Sequence, residues 1–274
     1  MPIENFLTEL QFSKFRDYIY NASGIHFSPS NRTILESRLK ERLRKSGISD
    51  IDQYYKQITT DEGEMKTLLD TVTTNLTRFF RNTAHFKAFE HYVIPELVKY
   101  KKSRGENTIK IWSAGCSTGE EPYSLAMVLK DILPPGFKFD ITASDLSLKC
   151  LMTAKEGFYS DQKVNGVSEK YLQKYFEKKP NGYLVKEEIR NSVKFDYHNL
   201  KADSGQRNLD ITFCRNVIIY FDEAAQNNVI NKFYESMNNH AYLFIGHSES
   251  LFGMDTKFEF LKTDFATMYR KFSS

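Results

Sequence analysis

The chain has 274 residues, of which 41% are hydrophobic and 27% are charged, a composition typical of a folded globular protein. Its formal net charge of +3 is too small to predict a nucleic-acid-binding protein, so any basic partner surface must be local. The amino-terminal stretch MPIENFLTEL lacks the basic and the long apolar parts of a signal peptide, and no apolar run is long enough to cross a bilayer. We therefore expect a cytoplasmic protein without direct membrane insertion.

The cysteines and histidines argue against two classes of site. Cys116, Cys150 and Cys214 are widely spaced and form no CxxC pattern, which disfavours disulfides and a zinc site. The histidines show no HxxxH or comparable ligand pair. We expect the cysteines to be small buried residues and the protein to need no metal.

The first part of the chain predicts a helical domain, because apolar residues recur every three or four positions. Gly24 and Gly47 follow two of these stretches, where a left-handed glycine commonly ends a helix. The predicted helices cover residues 5–21, 29–46, 50–59, 62–74 and 82–102. We assign residues 1–90 to an all-helical amino-terminal domain.

From residue 109 onward, short apolar runs alternate with helical segments. This alternation is typical of an α/β fold with a doubly wound, mostly parallel sheet of the Rossmann-like kind. The predicted strands are 109–114, 138–145, 209–216 and 241–247, and the helices between them are 119–131, 147–156 and 222–237. We assign residues 91–274 to this second domain.

Residues 171–197 interrupt the alternation. A Pro-Asn-Gly turn at 180–182 lies between stretches in which large apolar and polar residues alternate. This pattern predicts an antiparallel hairpin. We expect a small antiparallel β insertion at about 171–197.

A glycine-containing turn joins the first strand and the first helix of the sheet domain. Gly115 and Gly119 lie where parallel sheets bind ligands, beyond the carboxyl end of a strand and at the amino terminus of a helix. The spacing departs from the GxGxxG pattern of dinucleotide sites, and a loose glycine turn can also be purely structural. We predict the main ligand site here and leave the structural alternative open.

Asp145, at the end of the second predicted strand, narrows the class of ligand. A carboxylate there can accept hydrogen bonds from both hydroxyls of a ribose, or it could instead cap the following helix. The absence of a GxxxxGK[ST] pattern disfavours a P-loop nucleotide and leaves a dinucleotide or S-adenosylmethionine. Glu120 and Glu121 would repel a pyrophosphate but suit a cationic sulfonium ligand with an amino group.

Five motifs of the chain resemble those of the CheR family, the chemotaxis receptor protein-glutamate O-methyltransferases. They are NLTRFFRN (75–82), WSAGCSTGEEPYSLAM (112–127), ASDLS (143–147), FCRNVIIYFD (213–222) and GHSESL (246–251). They follow the family's order across nearly the whole chain, and the helical front domain and β insertion are similar to the family's architecture. The resemblance implies S-adenosyl-L-methionine as methyl donor, S-adenosyl-L-homocysteine as product, and glutamates of methyl-accepting chemotaxis receptors as substrate.

The resemblance also implies a set of cofactor-binding positions. In chain order they are Asn75, Thr77, Arg81, Glu121, Asp145, Asn199, Leu200, Arg215 and Asn216. Asn75, Thr77 and Arg81 match residues that close over the cofactor from the front domain. Glu121 matches a carboxylate that meets the methionine end of the cofactor, and Asp145 matches one that meets its ribose. Asn199 and Leu200 match the segment near the adenine. Arg215 and Asn216 match the end of the family's fourth strand.

The transfer reaction itself asks mainly for alignment. A glutamate side chain with a pKa of about 4.3 is already ionised at neutral pH, so no general base is required. We predict that Arg81 holds the incoming carboxylate through its fork of donors and that Tyr220 donates a hydrogen bond to it. Without the family context, Arg81 could be a surface ion pair, Asn216 a satisfied turn residue and Tyr220 a core aromatic.

A basic helix is the predicted contact with the receptor's cytoplasmic domain. Leucines at positions 35, 39 and 43 form an apolar stripe along this helix. The basic residues on its flank are Arg38, Arg42 and Lys45, with Lys40 and Arg44 further round. A solvated helix face is the alternative. We expect a monomer that binds receptors through this flank and binds no nucleic acid.

Two rival functions and one mode of docking complete the predictions. The glycine spacing disfavours a dinucleotide-dependent oxidoreductase, whereas a catalytically silent signalling module that binds S-adenosylmethionine would keep the same ligand positions. In some relatives a receptor's carboxyl-terminal pentapeptide docks as an additional strand on the hairpin, whose turn is longer and contains glycine. Here only one Pro-Asn-Gly turn separates Phe176 from Tyr183, so we predict a pentapeptide-independent enzyme.

Overall fold

The computed structural model describes residues 6–272. Its amino-terminal part consists of helices α1 Glu9–Ser23, α2 Arg32–Ser46, α3 Ile51–Thr60 and α4 Glu62–Val72, with a 3₁₀ turn Pro29–Asn31 before α2. A capping box between Thr8 and Gln11 begins α1, and Gly24 with a φ of 82° ends it. The first residue of the predicted helix 5–21 and both ends of the predicted domains, 1–5 and 273–274, lie outside the described residues.

These helices bury a hydrophobic core of their own. Leu35 and Leu39 of α2 are fully buried together with Phe15 of α1 and Leu68 of α4. Burial of each such side chain stabilises the fold by about 1.5–3 kcal/mol. The predicted apolar stripe of α2 therefore faces the interior of the helical part.

The next helical segment packs against the sheet. It consists of α5 Thr83–Ala88, a π-helical turn Phe89–Val93 and α6 Ile94–Ser103. Its buried side chains, Phe86 and Phe89 among them, share one core with the strands, and the helical core ends at Val72. The change of core thus lies before residue 83, while the domain division near residue 90 stays a prediction.

A seven-stranded sheet forms the centre of the remaining chain and confirms the predicted α/β fold class. In chain order its strands are β1 Thr108–Ala114, β2 Lys138–Asp145, β6 Val193–Tyr197, β7 Leu209–Cys214, β8 Met237–Ile245, β9 Glu259–Lys262 and β10 Thr267–Phe272. The spatial order is β6-β2-β1-β7-β8-β10-β9, in which the first five strands are parallel and β10 is antiparallel to its neighbours. Ile111 packs on one face and Trp112 on the other, so both faces of the central strands are apolar.

Helices connect the strands and cover both faces. They are α7 Glu120–Ile132, α8 Leu148–Glu156, α9 Glu169–Tyr175, α10 Glu187–Arg190 and α11 Glu223–Ser236, and a 3₁₀ turn Ile218–Tyr220 follows β7. Within residues 6–272, no helix is long and apolar enough to span a membrane.

The β insertion is shorter than the predicted block 171–197. The Pro-Asn-Gly turn joins β4 Phe176–Lys179 to β5 Gly182–Val185, which pairs on its other side with β3 Phe158–Tyr159. β6, which we had included in the insertion, instead pairs in parallel with β2 in the main sheet. The two cases look alike in sequence because an edge strand of a parallel sheet alternates in polarity as a hairpin strand does.

Candidate functional site

A cavity lies between the helical part and the carboxyl ends of strands β1, β2 and β7. All the site residues that the sequence predicted contribute to its lining, namely Asn75, Thr77, Arg81, Glu121, Asp145, Asn199, Leu200, Arg215, Asn216 and Tyr220. The structure thus brings the predicted residues together around one space, and their individual roles stay predictions.

The turn after β1 needs glycine at two positions. Gly115 has a φ of 81°, and a Cβ atom there would lie 2.4 Å from a methyl carbon of Val217. Gly119 has a φ of 92°, and its Cβ would lie 2.9 Å from that of Ala154. Both glycines therefore have a packing reason, and Gly115 also lines the cavity.

Asp145 closes strand β2 with both carboxylate oxygens already engaged. One oxygen accepts the Ser117 N–H at 2.7 Å and the other accepts the Ser147 N–H at 2.8 Å. The cap of α8 is Ser147 rather than Asp145, because the Ser147 hydroxyl accepts the Cys150 N–H at 3.1 Å. Burial raises the pKa of Asp145, and the two N–H groups oppose that shift. Each oxygen keeps a lone pair that can accept from a ligand hydroxyl.

Glu121 and Arg215 form a buried ion pair in the cavity wall. Arg215 Nη1 lies 3.3 Å from Glu121 Oε2, and the Ser113 hydroxyl donates to Glu121 Oε1 at 2.8 Å. Burial raises the pKa of Glu121, and the positive charge of Arg215 opposes this. Arg215 Nη2 also donates to the carbonyl of Arg81, whereas its buried Nε has no partner among the described residues.

Glu120 faces away from the cavity. It is fully buried, and its carboxylate accepts the Lys163 ammonium at 3.0 Å and the Thr118 hydroxyl at 2.6 Å. The sequence argument that both neighbouring glutamates would meet a ligand is therefore wrong for Glu120. Of these two glutamates, only Glu121 lines the cavity.

Packing and hydrogen bonds hold the segment between the helical part and α5 over the cavity. Phe79 packs edge-on against Tyr159 and Phe176 of the β insertion, with ring centroids 4.8 and 5.3 Å apart. Phe80 adopts a left-handed φ of 51°, a conformation that persists only where its surroundings fix it. Arg81 Nη1 donates to the Leu76 carbonyl at 2.7 Å. Within the described chain Arg81 forms no ion pair, and the carbonyl of Leu76 is the one hydrogen-bond acceptor of its guanidinium.

The predicted adenine-side residues also join the two parts of the molecule. The Asn199 side chain donates to the Ala22 carbonyl at 2.7 Å, and Lys201 Nζ donates to the Asn21 carbonyl at 2.9 Å. These carbonyls lie at the carboxyl end of α1, where helix carbonyls lack partners within the helix. The loop therefore seals one side of the cavity against the helical part.

Tyr220 and Asn216 lie on the loop that follows β7. The Tyr220 side chain is half-buried and lines the cavity, so it is not a core aromatic. Its carbonyl accepts the His26 N–H of the helical part at 2.8 Å. Asn216 has a φ of 59°, a left-handed conformation that asparagine tolerates better than most residues.

Sequence reasoning missed several residues of the lining. Ser117 and His198 both border the cavity, and Ser113 orients Glu121. Burial lowers the pKa of His198, whose ring lies beside Trp112 with centroids 5.8 Å apart. Ser117 and Ser113 lay within a motif that we had quoted, but serine in a turn or strand carries no distinctive sequence signal.

The predicted receptor-binding flank of α2 is only partly exposed. Arg42 is buried, with 10% of its side chain accessible, and contacts both oxygens of Glu64 at 2.8 and 2.9 Å. Arg42 nevertheless lines one groove together with Arg38 and Lys45. Its charge is paired with Glu64 of α4, and its part in receptor binding stays a prediction. Arg38 and Lys45 keep 37% and 51% of their side chains accessible, although Lys45 pairs with Glu41 at 2.6 Å.

Two family models match consecutive parts of the chain. The CheR methyltransferase all-alpha domain matches residues 10–73, and the CheR methyltransferase SAM binding domain matches residues 75–267.

Named proteins match over nearly the full length. A chemotaxis protein methyltransferase of Borreliella burgdorferi is 36% identical over 256 residues, which cover 90% of each chain. Chemotaxis protein methyltransferase 2 of Vibrio cholerae is 33% identical over 273 residues, covering 97% of this chain and 94% of that one. A chemotaxis protein methyltransferase of Escherichia coli is 33% identical and covers 92% of this chain and 88% of its own.

Proposed function

The chain belongs to the CheR methyltransferase family, and from that premise we propose that it transfers the methyl group of S-adenosylmethionine to glutamate side chains of chemotaxis receptors. The family relation makes it a methyltransferase that uses S-adenosylmethionine. The observation that carries the choice of substrate is the Arg81 guanidinium, which has unpartnered N–H groups and lines one cavity with Glu121 and Asp145. A cation at the cavity edge suits a carboxylate substrate.

The residues of the cavity fit the methyl donor. Glu121 would meet its amino group and sulfonium charge, and the guanidinium of Arg215, which lines the same cavity, would meet its carboxylate. The free lone pairs of Asp145 would accept the ribose hydroxyls. When bound, S-adenosylmethionine supplies a methyl group that a carboxylate can accept in line with the sulfur.

The catalytic contribution of this chain would be alignment. Arg81 would place two donors on the substrate carboxylate, and Tyr220 would donate a third hydrogen bond. The substrate is already ionised at neutral pH, so neither residue has to remove a proton. Holding two reactants in such a geometry lowers a barrier by about 7–11 kcal/mol at most.

The exposed basic surface for the receptor would combine two helices. Arg38 and Lys45 of α2 border a groove that Lys149 of α8 also lines, and Glu41 and Asp70 lie in the same groove. A glutamate-rich receptor helix would gain from the three cations through electrostatic attraction at the surface. Arg42 also lines this groove, but its charge is already paired with Glu64.

We also propose that the enzyme works without a receptor-tail pentapeptide. Lys179 pairs directly with Gly182, so only Pro180 and Asn181 lie between β4 and β5. The β4–β5 turn is therefore shorter than the turn we expect in those members of the family that bind the receptor tail. Calorimetry with a synthetic receptor-tail pentapeptide should show no binding tighter than about 1 mM, and a dissociation constant of about 10 μM would contradict the proposal.

The main test is methyl transfer to receptor-containing membranes from S-adenosylmethionine with a radiolabelled methyl group. We expect label on the receptor that mild base releases as methanol, since a glutamate methyl ester hydrolyses where an N-methyl group does not. The rival function, a silent binding module, predicts that S-adenosylhomocysteine binds while no label is transferred. That result would overturn the proposal.

A further inference from the structure

The motif GHSESL follows strand β8, and its acidic residue turns back onto the loop after the neighbouring strand β7. Glu249 Oε2 accepts the Asn216 N–H at 2.8 Å and also accepts the Gly246 N–H. Glu249 Oε1 accepts the Val217 N–H at 3.0 Å and the Ile219 N–H at 3.3 Å. A single carboxylate thus collects backbone donors from the ends of two adjacent parallel strands.

The donors on the β7 side belong to a backbone conformation that needs such an acceptor. Asn216 is left-handed, and Val217 precedes the 3₁₀ turn Ile218–Tyr220 with a φ of −120° and a ψ of −46°. Successive N–H groups that point the same way at the start of a helical turn lack partners within it and carry partial positive charge. The negative charge of Glu249, 33 residues from Asn216 in sequence, satisfies them.

The loop that Glu249 holds carries three predicted site residues. Arg215, Asn216 and Tyr220 all line the cavity, whereas Glu249 contacts it only through this loop. The fit is close, because a Cβ atom on Gly246 would lie 2.6 Å from Glu249 Oε2 and 2.9 Å from the Asn216 nitrogen. The glycine of the motif therefore makes room for the link that its glutamate forms.

We propose that Glu249 is a positioning residue, which sets the β7 loop so that Asn216 and Tyr220 face the reacting groups. The inference rests on the proposed function, since Tyr220 acts there on the substrate carboxylate. Glu249→Gln keeps the size of the side chain but leaves one acceptor oxygen, and its NH₂ group then faces two backbone donors. The loop should lose its fixed geometry while the rest of the fold is retained.

The kinetic test is a double-mutant cycle between Glu249 and Tyr220. We expect Glu249→Gln to lower kcat at saturating cofactor and receptor by at least about ten-fold, as for the loss of hydrogen bonds to a charged acceptor. In a Tyr220→Phe background the same change should cost far less, because the hydroxyl that it misplaces is already absent. Glu259→Gln, in an exposed ion pair with Arg270, is the matched control and should leave kcat unchanged.

The structural test is amide hydrogen exchange in the ligand-free protein. Exchange at residues 216–219 and 246 should quicken in Glu249→Gln but not in Glu259→Gln, with the amides of β7 itself unaffected. If Glu249→Gln does not fold, Glu249→Asp serves instead, since its shorter side chain cannot reach both sets of donors. The Glu249→Asp variant should show the same faster exchange and lower kcat as expected for Glu249→Gln, each to a smaller extent.

The outcomes separate the two proposals. Unchanged exchange together with wild-type kcat in either folded Glu249 variant overturns the positioning role, as does a double variant whose loss equals the product of the single losses. Absence of transfer by the wild-type protein overturns the proposed function instead, and with it the catalytic consequence of the Glu249 link. Faster exchange at the loop would still be measured in that case.

Discussion

Replacement of Asp145 by alanine should weaken binding of S-adenosylhomocysteine by about 1.5–3 kcal/mol, the range for hydrogen bonds to a charged group. Each Asp145 oxygen already accepts one backbone N–H, from Ser117 at 2.7 Å or Ser147 at 2.8 Å, and keeps a lone pair for a ribose hydroxyl. The loss corresponds to a rise in the dissociation constant of roughly 10- to 150-fold.

The same change has a separate effect on stability. It leaves the Ser117 and Ser147 N–H groups without an acceptor in a buried place, which should lower the free energy of unfolding by about 1–3 kcal/mol for each. Titration calorimetry measures the affinity, and urea unfolding of the ligand-free protein measures the stability. Asp140→Ala, exposed on the same strand, should change neither. A folded Asp145→Ala protein with wild-type affinity would refute the assignment of Asp145 to the ribose.

Further predictions concern Arg81, helix α2 and His85. Arg81→Ala should lower the single-turnover rate of methyl transfer by more than about ten-fold, whereas Arg78→Ala, exposed in the same segment, should leave it unchanged. Arg42→Ala should lower the free energy of unfolding by about 3–5 kcal/mol, because the carboxylate of its partner Glu64 stays buried. Arg38→Glu should raise KM for the receptor and flatten the dependence of KM on salt concentration. Burial lowers the pKa of His85 from 6.5 to about 4, so the unfolded state binds more protons between these values. Stability should therefore be complete above pH 6.5 and fall by roughly 3 kcal/mol as the pH decreases to about 4, and His85→Phe should remove this loss.

Each of these has an opposing result. Equal single-turnover rates for Arg81→Ala and Arg78→Ala would remove Arg81 from the reaction. Wild-type urea stability of Arg42→Ala would mean that its pair with Glu64 contributes nothing, and an unchanged receptor KM in Arg38→Glu would return that side chain to a solvated face. A His85→Phe protein with the same acid sensitivity as the wild type would assign the pH dependence to other groups.

The central strands could be predicted from the sequence because they are apolar on both faces. β7 is buried at every position, and β1, β2 and β8 are buried at most positions of their carboxyl-terminal halves, as is typical of central strands in a parallel sheet. β6 could not be placed in the same way, since it lies at the sheet edge and its residues alternate in burial. Local alternation does not reveal which sheet a strand joins.

The sequence could predict those residues of the candidate site that lie at the ends of parallel strands. It could not predict contacts between side chains and segments that are distant in sequence. Asp145 and Arg215 come directly at or after strands, so their meeting at one edge of the sheet follows from parallel topology. Helical periodicity placed Arg42 on a flank but could not show that α4 covers it. The link from Glu249 to the β7 loop joins segments about 30 residues apart, and no local pattern encodes it.

We propose above all that this chain esterifies glutamate side chains with the methyl group of S-adenosylmethionine. Peptide mass spectrometry of a receptor cytoplasmic domain, incubated with the protein and S-adenosylmethionine, maps the added methylene mass to individual residues. We expect modification only on glutamates, its loss after mild base, and its absence with Arg81→Ala. Methylation of lysine or of no residue, by a folded protein that binds S-adenosylhomocysteine, would contradict it.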